Sequence, residues 1–345
     1  MTNEPTAEIK LDDPQSFVQA ITTIQGFAGS SKESSPIYRG VGGADLHSLI
    51  PTALREHAQD AFWSQASIAP ISQNDEQRKL PQTHISAELE IVRAFYQASD
   101  ISGLSLPPLP TDFESMLRLP MVYSMMQSGG VWHQCTQSWP PPQIRPIVAL
   151  AQHYGLPTRL LDWSFDPLVS IYFAATTGLR AFIDNPATTQ RIGVWMTHSG
   201  IYDALASSNK TPAIVSLVRA PMAQNPNLFA QKGLFTLISD KKTNEDKYSS
   251  RPLDVSIVEI MNGKVIEDKF AKIYLEKFTQ PFMKFTMPQS KSAELVQYLD
   301  NLGYNPARIF PGYDGAAVAV KLLAELETAK NLSNPKSTET TKTAK

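Results

Sequence analysis

Gln152-His153-Tyr154-Gly155-Leu156-Pro157-Thr158-Arg159-Leu160-Leu161-Asp162-Trp163 is the stretch around which this 345-residue chain organises. Just before it, Ile144, Ile147, Val148 and Ala151 recur at three- and four-residue steps, the stripe of an amphipathic helix. Gly155 stands where a helix C-terminal glycine belongs. Leu160-Leu161 reads as a short strand. Asp166-Pro167 then opens a second helix, with Asp as N-cap and Pro in the first turn, running through Leu168, Ile171, Tyr172 and Ala175 to about Gly178.

Outward from this unit the pattern is mixed. Strands are predicted at 36–41, 192–197, 235–238, 255–260 and 282–287. Helices are predicted at 13–27, 86–98 with Glu88 in its first turn, 112–127, 292–302 closed by Gly303, and 316–330. Residues 57–81 read as loop with weak helix. Strands scattered among irregularly spaced helices point to an α+β fold in one compact domain, residues 13–330. Residues 1–12 are expected to be a flexible N-terminus and 331–345 a disordered tail, because neither has the apolar content to offset its ordering entropy.

Composition excludes several classes. A hydrophobic fraction of 42% with 19% charged residues is globular, and a net charge of −2 gives no global basic signature for nucleic acid. Cys135 is the single cysteine, which rules out an intrachain disulfide and suits a reducing compartment. No apolar run approaches the roughly 20 residues needed to span a bilayer. With no signal-peptide pattern at the start, a cytoplasmic protein is expected. There is no Gly-x-Gly-x-x-Gly, P-loop, His-Glu-x-x-His or Gly-x-Ser-x-Gly motif, and six histidines without a close pair suggest no metal site.

Three separated stretches resemble the FRG-domain family. The first is Tyr38-Arg39-Gly40 with Leu49-Ile50-Pro51-Thr52-Ala53-Leu54-Arg55 (residues 38–55). The second runs over 151–174, ending in Tyr172-Phe173-Ala174. The third comprises Gln231-Lys232-Gly233-Leu234-Phe235 and Ile309-Phe310-Pro311-Gly312-Tyr313-Asp314-Gly315 (231–235 and 309–315). A strand ending in Tyr-Arg-Gly is in turn similar to the opening strand of arginine-type ADP-ribosyltransferases, and Asp162-Trp163-Ser164 followed by a helix is similar to their second element.

That resemblance implies the ADP-ribosyltransferase fold with helical insertions, and NAD as substrate. Arg39 would hold a phosphate or ribose, Gly40 the nicotinamide amide, Arg159 the diphosphate, and Trp163, Tyr38 or Tyr154 would stack on a ring. The transferases' glutamate is replaced by Gln231-Lys232-Gly233, so the acid is sought at Asp162 or Asp314, with Gln231 in the glutamate's segment and His153 as general base. The acceptor would be RNA, DNA or protein. A toxin or phage-defence effector with an antitoxin or chaperone partner is implied by the same likeness. Other readings stay open at this point. Arg39 could pair with a surface carboxylate, His153 could be a helix C-terminal cation, Arg159 and Asp162 could pair with each other, Trp163 could be core, and Asp314 could be an N-cap. A nucleotide-binding module without catalysis, or a hydrolase or nuclease using His153 and Asp162, are the competing functions.

Overall fold

The computed structural model describes residues 6–24, 34–45, 49–66, 78, 80–119, 135, 139–207, 213–223, 225–240, 251–262, 266 and 268–333. Among these, the strands are β1 (Thr6–Lys10), β2 (Pro36–Val41), β3 (Leu160–Ser164), β4 (Arg191–His198), β5 (Ala213–Val218), β6 (Gly233–Asp240) and β7 (Phe282–Pro288). The helices are α1 (Pro14–Thr23), α2 (Gln59–Ala66), α3 (Pro81–Ile101), α4 (Thr111–Arg118), α5 (Arg145–His153), α6 (Pro167–Asp184), α7 (Ser199–Ser207), α8 (Pro226–Ala230), α9 (Leu253–Asn262), α10 (Lys269–Leu275), α11 (Ser292–Asn301), α12 (Pro306–Ile309) and α13 (Tyr313–Ser333). The strands form one sheet in the order β1-β7-β4-β2-β3-β6-β5, antiparallel throughout except for β1 beside β7. The fold is therefore α+β, as expected.

The sheet's decisive feature lies at its centre. β2 pairs with β4 from Pro36 to Val41, and β3 with β6 from Leu160 to Ser164. Yet β2 and β3 meet only where Tyr38 faces Ser164, and beyond that point they part. Strand alternation puts Tyr38, Gly40, Asp162 and Leu160 on one face, and Ile37, Arg39, Val41, Leu161 and Trp163 on the other. On the first face two separate cores flank the parting. One, with Phe17, Tyr172, Leu179, Phe285 and Leu295, lies under α1, α6 and α11. Its counterpart, with Leu89, Val92, Trp139, Leu150, Leu160 and Phe235, lies under α3, α4 and α5. The opposite face is covered by a third core around Trp163, Trp195, Tyr202, Ile257 and Phe282.

Gly40 and Gly42 explain how close α6 comes to β2. A Cβ on Gly40 would lie 1.8 Å from the Ser170 carbonyl oxygen, and one on Gly42 would lie 2.7 Å from Thr177. Both are backbone-to-backbone approaches that no side chain permits. α6 starts where the sequence indicates: the Asp166 carboxylate accepts from the Leu168 amide at 3.1 Å, and Pro167 occupies the first turn. It continues past Gly178 to Asp184. Gly155 and Gly303 take the left-handed φ of +87° and +78° expected of helix-ending glycines.

Several expectations are corrected. Residues 255–260 are not a strand but part of α9. Their β-branched content suggests extension, whereas Leu253, Ile257 and Ile260 fall on one buried helical face. The N-terminus is not wholly flexible, because Thr6–Lys10 adds a parallel edge strand to β7, and the Leu11 amide continues the ladder to Thr286 at 2.9 Å. Backbone pairing there needs little apolar content. α3 begins at Pro81, so Glu88 lies in the buried helix interior and not in the first turn. Asp314 sits within the first turn of α13 and is not its N-cap. α1 ends at Thr23 and α4 at Arg118, short of the predicted 27 and 127; residues 25–33 and 120–134 lie outside the described residues. Of the expected tail, 331–333 are the last turn of α13, and 334–345 lie outside the described residues. No helix among the described residues is long and apolar enough to cross a membrane.

Candidate functional site

Where β2 and β3 part, a cleft of about 310 Å³ opens between the two cores of that face. Its floor comes from Tyr38, Arg39 and Gly40 on β2, Asp162 to Ser164 on β3, and Gly233 to Phe235 on β6. Its walls are the end of α5 (Gln152, His153, with Tyr154 next), the start of α6 (Val169, Ser170, Phe173), α8 (Asn227, Leu228) with Gln231 just after it, and Phe310. Three stretches far apart in sequence thus meet around one cavity.

Arg39 and Asp162 start on opposite faces by strand alternation, and their side chains meet at the parting. Arg39 Nη1 lies 2.5 Å from a carboxylate oxygen of Asp162, and Nη1 also donates to the Asp162 carbonyl oxygen at 2.9 Å. The guanidinium thereby satisfies a strand carbonyl that a ladder partner on β2 would otherwise take. Its side chain is 10% exposed, against 60% for Asp162, which opens onto the cleft while being surrounded by protein. Such crowding raises a carboxyl's pKa by desolvation, but the Arg39 charge and hydrogen bond, with a further contribution from Arg55, outweigh this and hold Asp162 below its ordinary value. Asp162 is thus a carboxylate at neutral pH. For Nε and Nη2 of Arg39, no hydrogen-bond acceptor is found among the described residues.

His153 closes α5, and its ring is partly buried in the cleft wall. Burial lowers its pKa, and the negative charge of Asp162 recovers part of that loss. It is therefore a neutral imidazole at pH 7, able to accept a proton. Its neighbour Tyr154 is 56% exposed and donates its hydroxyl to Asn225 at 3.2 Å. Tyr38 is buried, and its phenol is pushed up to about 12, by burial first and then by Asp166. Gln231 sits at the cleft's far end: its carbonyl accepts from the Ser164 hydroxyl at 2.7 Å, and its side-chain amide donates to the Ile309 carbonyl at 3.3 Å.

Two expected ligand-binding residues are placed elsewhere. Arg159 does not face the cleft or pair with Asp162. Its guanidinium forks onto Glu88 at 2.7 and 2.9 Å, beneath α3. Glu88, 1% exposed, also accepts from the Trp139 indole at 2.7 Å and contacts His84 Nδ1 at 3.1 Å. Burial alone would raise the Glu88 carboxyl, but the charge of Arg159 and the His84 contacts bring it down to about 2. This is a structural hub that fixes the entry to β3. Trp163 borders the cleft, yet its indole is 3% exposed in the third core and donates to Thr236 at 2.9 Å, so it is a core residue and not a stacking platform. Gly40 is explained by the approach of α6, which occupies the space its Cβ would fill. Asp314 is exposed and does not line the cleft.

Residues that the sequence analysis gives no site role line or flank the cleft. Phe173 and Phe310 meet edge to face at 6.1 Å along the wall. Beside Gln231, Asp166 accepts from Lys232 Nζ and from the Tyr304 hydroxyl, each at 2.9 Å, and Lys232 holds a left-handed φ of 47°. Spacing reveals none of these pairings, because each joins residues more than 60 positions apart.

The class defined by this geometry is an α+β chain with a half-enclosed cleft at a parted central strand pair, lined by an arginine, a carboxylate, an imidazole and aromatic rings. The family model of the FRG domain matches residues 121–181, which include α5, the loop after it, β3 and most of α6. No curated protein and no solved structure matches the chain.

Proposed function

We propose that this chain binds NAD in the cleft between β2 and β3 and transfers its ADP-ribose unit to a macromolecule. The observation that carries the proposal is the convergence of 38–40, 152–164, 231–235 and Phe310 on one cavity at parted strands, with Arg39 and Asp162 ion-paired beside it. A cavity near 310 Å³ lies at the lower end of the roughly 300–1,000 Å³ usual for small-molecule sites. It suits the nicotinamide and its ribose, leaving the adenosine half toward the exposed Tyr154.

The residue chemistry fits the reaction. The open donors of Arg39 are suited to a phosphate or ribose oxygen. Phe173 and Phe310 offer apolar surface to a flat ring. When the bond between ribose C1′ and nicotinamide breaks, the pair of electrons leaves with nicotinamide and positive charge develops on the ribose. The Asp162 carboxylate, kept ionised, faces that charge. Neutral His153 takes the proton that the acceptor loses as its lone pair bonds to C1′. The acceptor is RNA, DNA or protein, and a toxin or defence role with a protecting partner follows from the family resemblance alone.

One observation favours a second reading. The 2.5 Å pairing with Arg39 already compensates much of the Asp162 charge, which suits a module that binds a nucleotide without consuming it. Incubating purified protein with adenine-labelled NAD and bacterial lysate, with and without nuclease, separates the two. Label on macromolecules with wild type, absent with a folded Arg39→Ala variant, supports transfer, and its nuclease sensitivity identifies a nucleic-acid acceptor. NAD that binds but is neither consumed nor transferred supports the binding module.

A further inference from the structure

At the Gln231 end of the cleft, the rim carries a linked set of side chains that the NAD reading does not use. Gln231 lines the cleft, and its side-chain amide donates to the Ile309 carbonyl, which ties the end of α8 to α12. One residue on, Lys232 sets its Nζ 2.9 Å from the Asp166 carboxylate oxygen that also accepts from the Tyr304 hydroxyl. Arg308, in α12, donates through Nη2 to that hydroxyl at 3.0 Å, and its guanidinium carbon lies 3.9 Å from the centre of the Tyr304 ring. α8 packs on α12, and Phe229, just after the cleft-lining Leu228, is 68% exposed.

Among these side chains two cations share one carboxylate. Asp166 is already occupied by the Leu168 amide, Lys232 and Tyr304. Arg308 is exposed and makes no ion pair with the described residues. A guanidinium held over a tyrosine ring on one side and open to solvent on the other is a surface on which an unpaired base stacks. A single exposed phenylalanine means little by itself. Phe229 stands on the helix packed against the one that bears Arg308, so a second flat surface lies beside the first. Flat surfaces interleaved with cations suit a single strand whatever its sequence, the rings taking bases and the cations phosphates. A duplex keeps its bases stacked on each other, and a protein acceptor offers no such alternation.

We propose that this rim is a docking strip for a single-stranded nucleic acid, and that such a strand is the acceptor presented to the cleft. Bases stack on the Arg308–Tyr304 pair and on Phe229, and the charges of Arg308 and Lys232 face phosphates. This inference rests on the NAD reading of the cleft and names its acceptor class. Neither Arg308 nor Phe229 lines the cleft, so NAD affinity does not depend on them.

The test is fluorescence anisotropy with a short end-labelled single strand of mixed sequence, as RNA and as DNA, and with the matching duplex. Wild type, Arg308→Ala, Arg308→Lys and Phe229→Ser are compared, each checked for an unchanged thermal melt and for NAD affinity by calorimetry. Wild type should bind a single strand more tightly than the duplex, and the stronger of the RNA and DNA arms identifies the source. Arg308→Ala and Phe229→Ser should each weaken single-strand binding roughly 5- to 100-fold, the scale of one lost stacked base. Arg308→Lys keeps the charge and should recover only part of the loss, with NAD affinity equal in all four. Single strands bound equally by all four proteins, or not bound by a chain that binds NAD, overturn the strip and leave the NAD reading standing, with protein as the acceptor. Variant-sensitive strand binding by a chain that binds no NAD keeps the strip as a binding surface and removes the NAD reading. Binding of neither overturns both.

Discussion

Replacing Glu88 with Gln should destabilise the chain by about 3 kcal/mol at pH 7. Arg159 then keeps its charge with its side chain 11% exposed and loses its carboxylate partner. The Trp139 indole and His84 meet different carboxylate oxygens, so a glutamine leaves one of them facing an amide nitrogen, a donor added to a site already filled with donors. Two routes give the magnitude. A carboxyl held at about 2 against an ordinary 4.5 favours the ionised native form by ~3 kcal/mol at about 1.4 kcal/mol per unit. Removing one partner of a buried pair costs ~3–5 kcal/mol in other proteins. The sign of the pH dependence follows. Because folding lowers this pKa, the contribution is complete above the unfolded value near 4.5 and is lost as pH falls toward 2. Urea unfolding of wild type, Glu88→Gln, Arg159→Met and the double variant should therefore show a large gap between wild type and Glu88→Gln at pH 7 that narrows below pH 4.5. The double variant should be less destabilised than the sum of its two single changes. A cost under about 1 kcal/mol, strict additivity, or a gap independent of pH would refute the hub.

Other outcomes follow from the same geometry. Gly40→Ala places a methyl 1.8 Å from the Ser170 carbonyl, so α6 must move off β2; a loss of about 3 kcal/mol in denaturant unfolding is expected, at the upper end for overpacking. Asp166→Ala removes the α6 cap and the Tyr304 partner, costing ~2 kcal/mol in the same assay, with the exposed Lys232 adding little. Burial pushes the Cys135 thiol up to about 12, so iodoacetamide should label it only after the chain is unfolded, as read by mass spectrometry. If His153 is the general base, the transfer rate should stay level from pH 8 down past 6.5 and fall only at lower pH, because its pKa is lowered; His153→Asn should remove that limb.

The local grammar of the fold was legible in the sequence. β2 was bounded correctly at residues 36 and 41, α6 was announced by Asp166-Pro167, and Gly155 and Gly303 ended their helices as their left-handed φ values require. Residues 255–260 were misread because β-branched composition and helical burial spacing point in opposite directions, and burial decides. Site membership was legible for Tyr38, Arg39, Gly40, His153, Tyr154, Asp162 and Gln231, all of which line the cleft. Partnerships were not. Arg159 stands three residues from Asp162 yet pairs with Glu88, 71 positions away, and Arg39 pairs with Asp162 across 123 positions. Those choices are made by how α3 and β2 pack on β3, which spacing along the chain does not encode.

The central claim is that one cleft, assembled from three distant segments at parted strands, binds NAD. Hydrogen–deuterium exchange of the wild-type chain with and without saturating NAD tests it most directly. Protection should rise together over 38–41, 152–164 and 231–235, with the segment around Phe310, and this joint response should be lost in Arg39→Ala. Protection confined to another region, or exchange unchanged at NAD concentrations that saturate binding, would contradict the account.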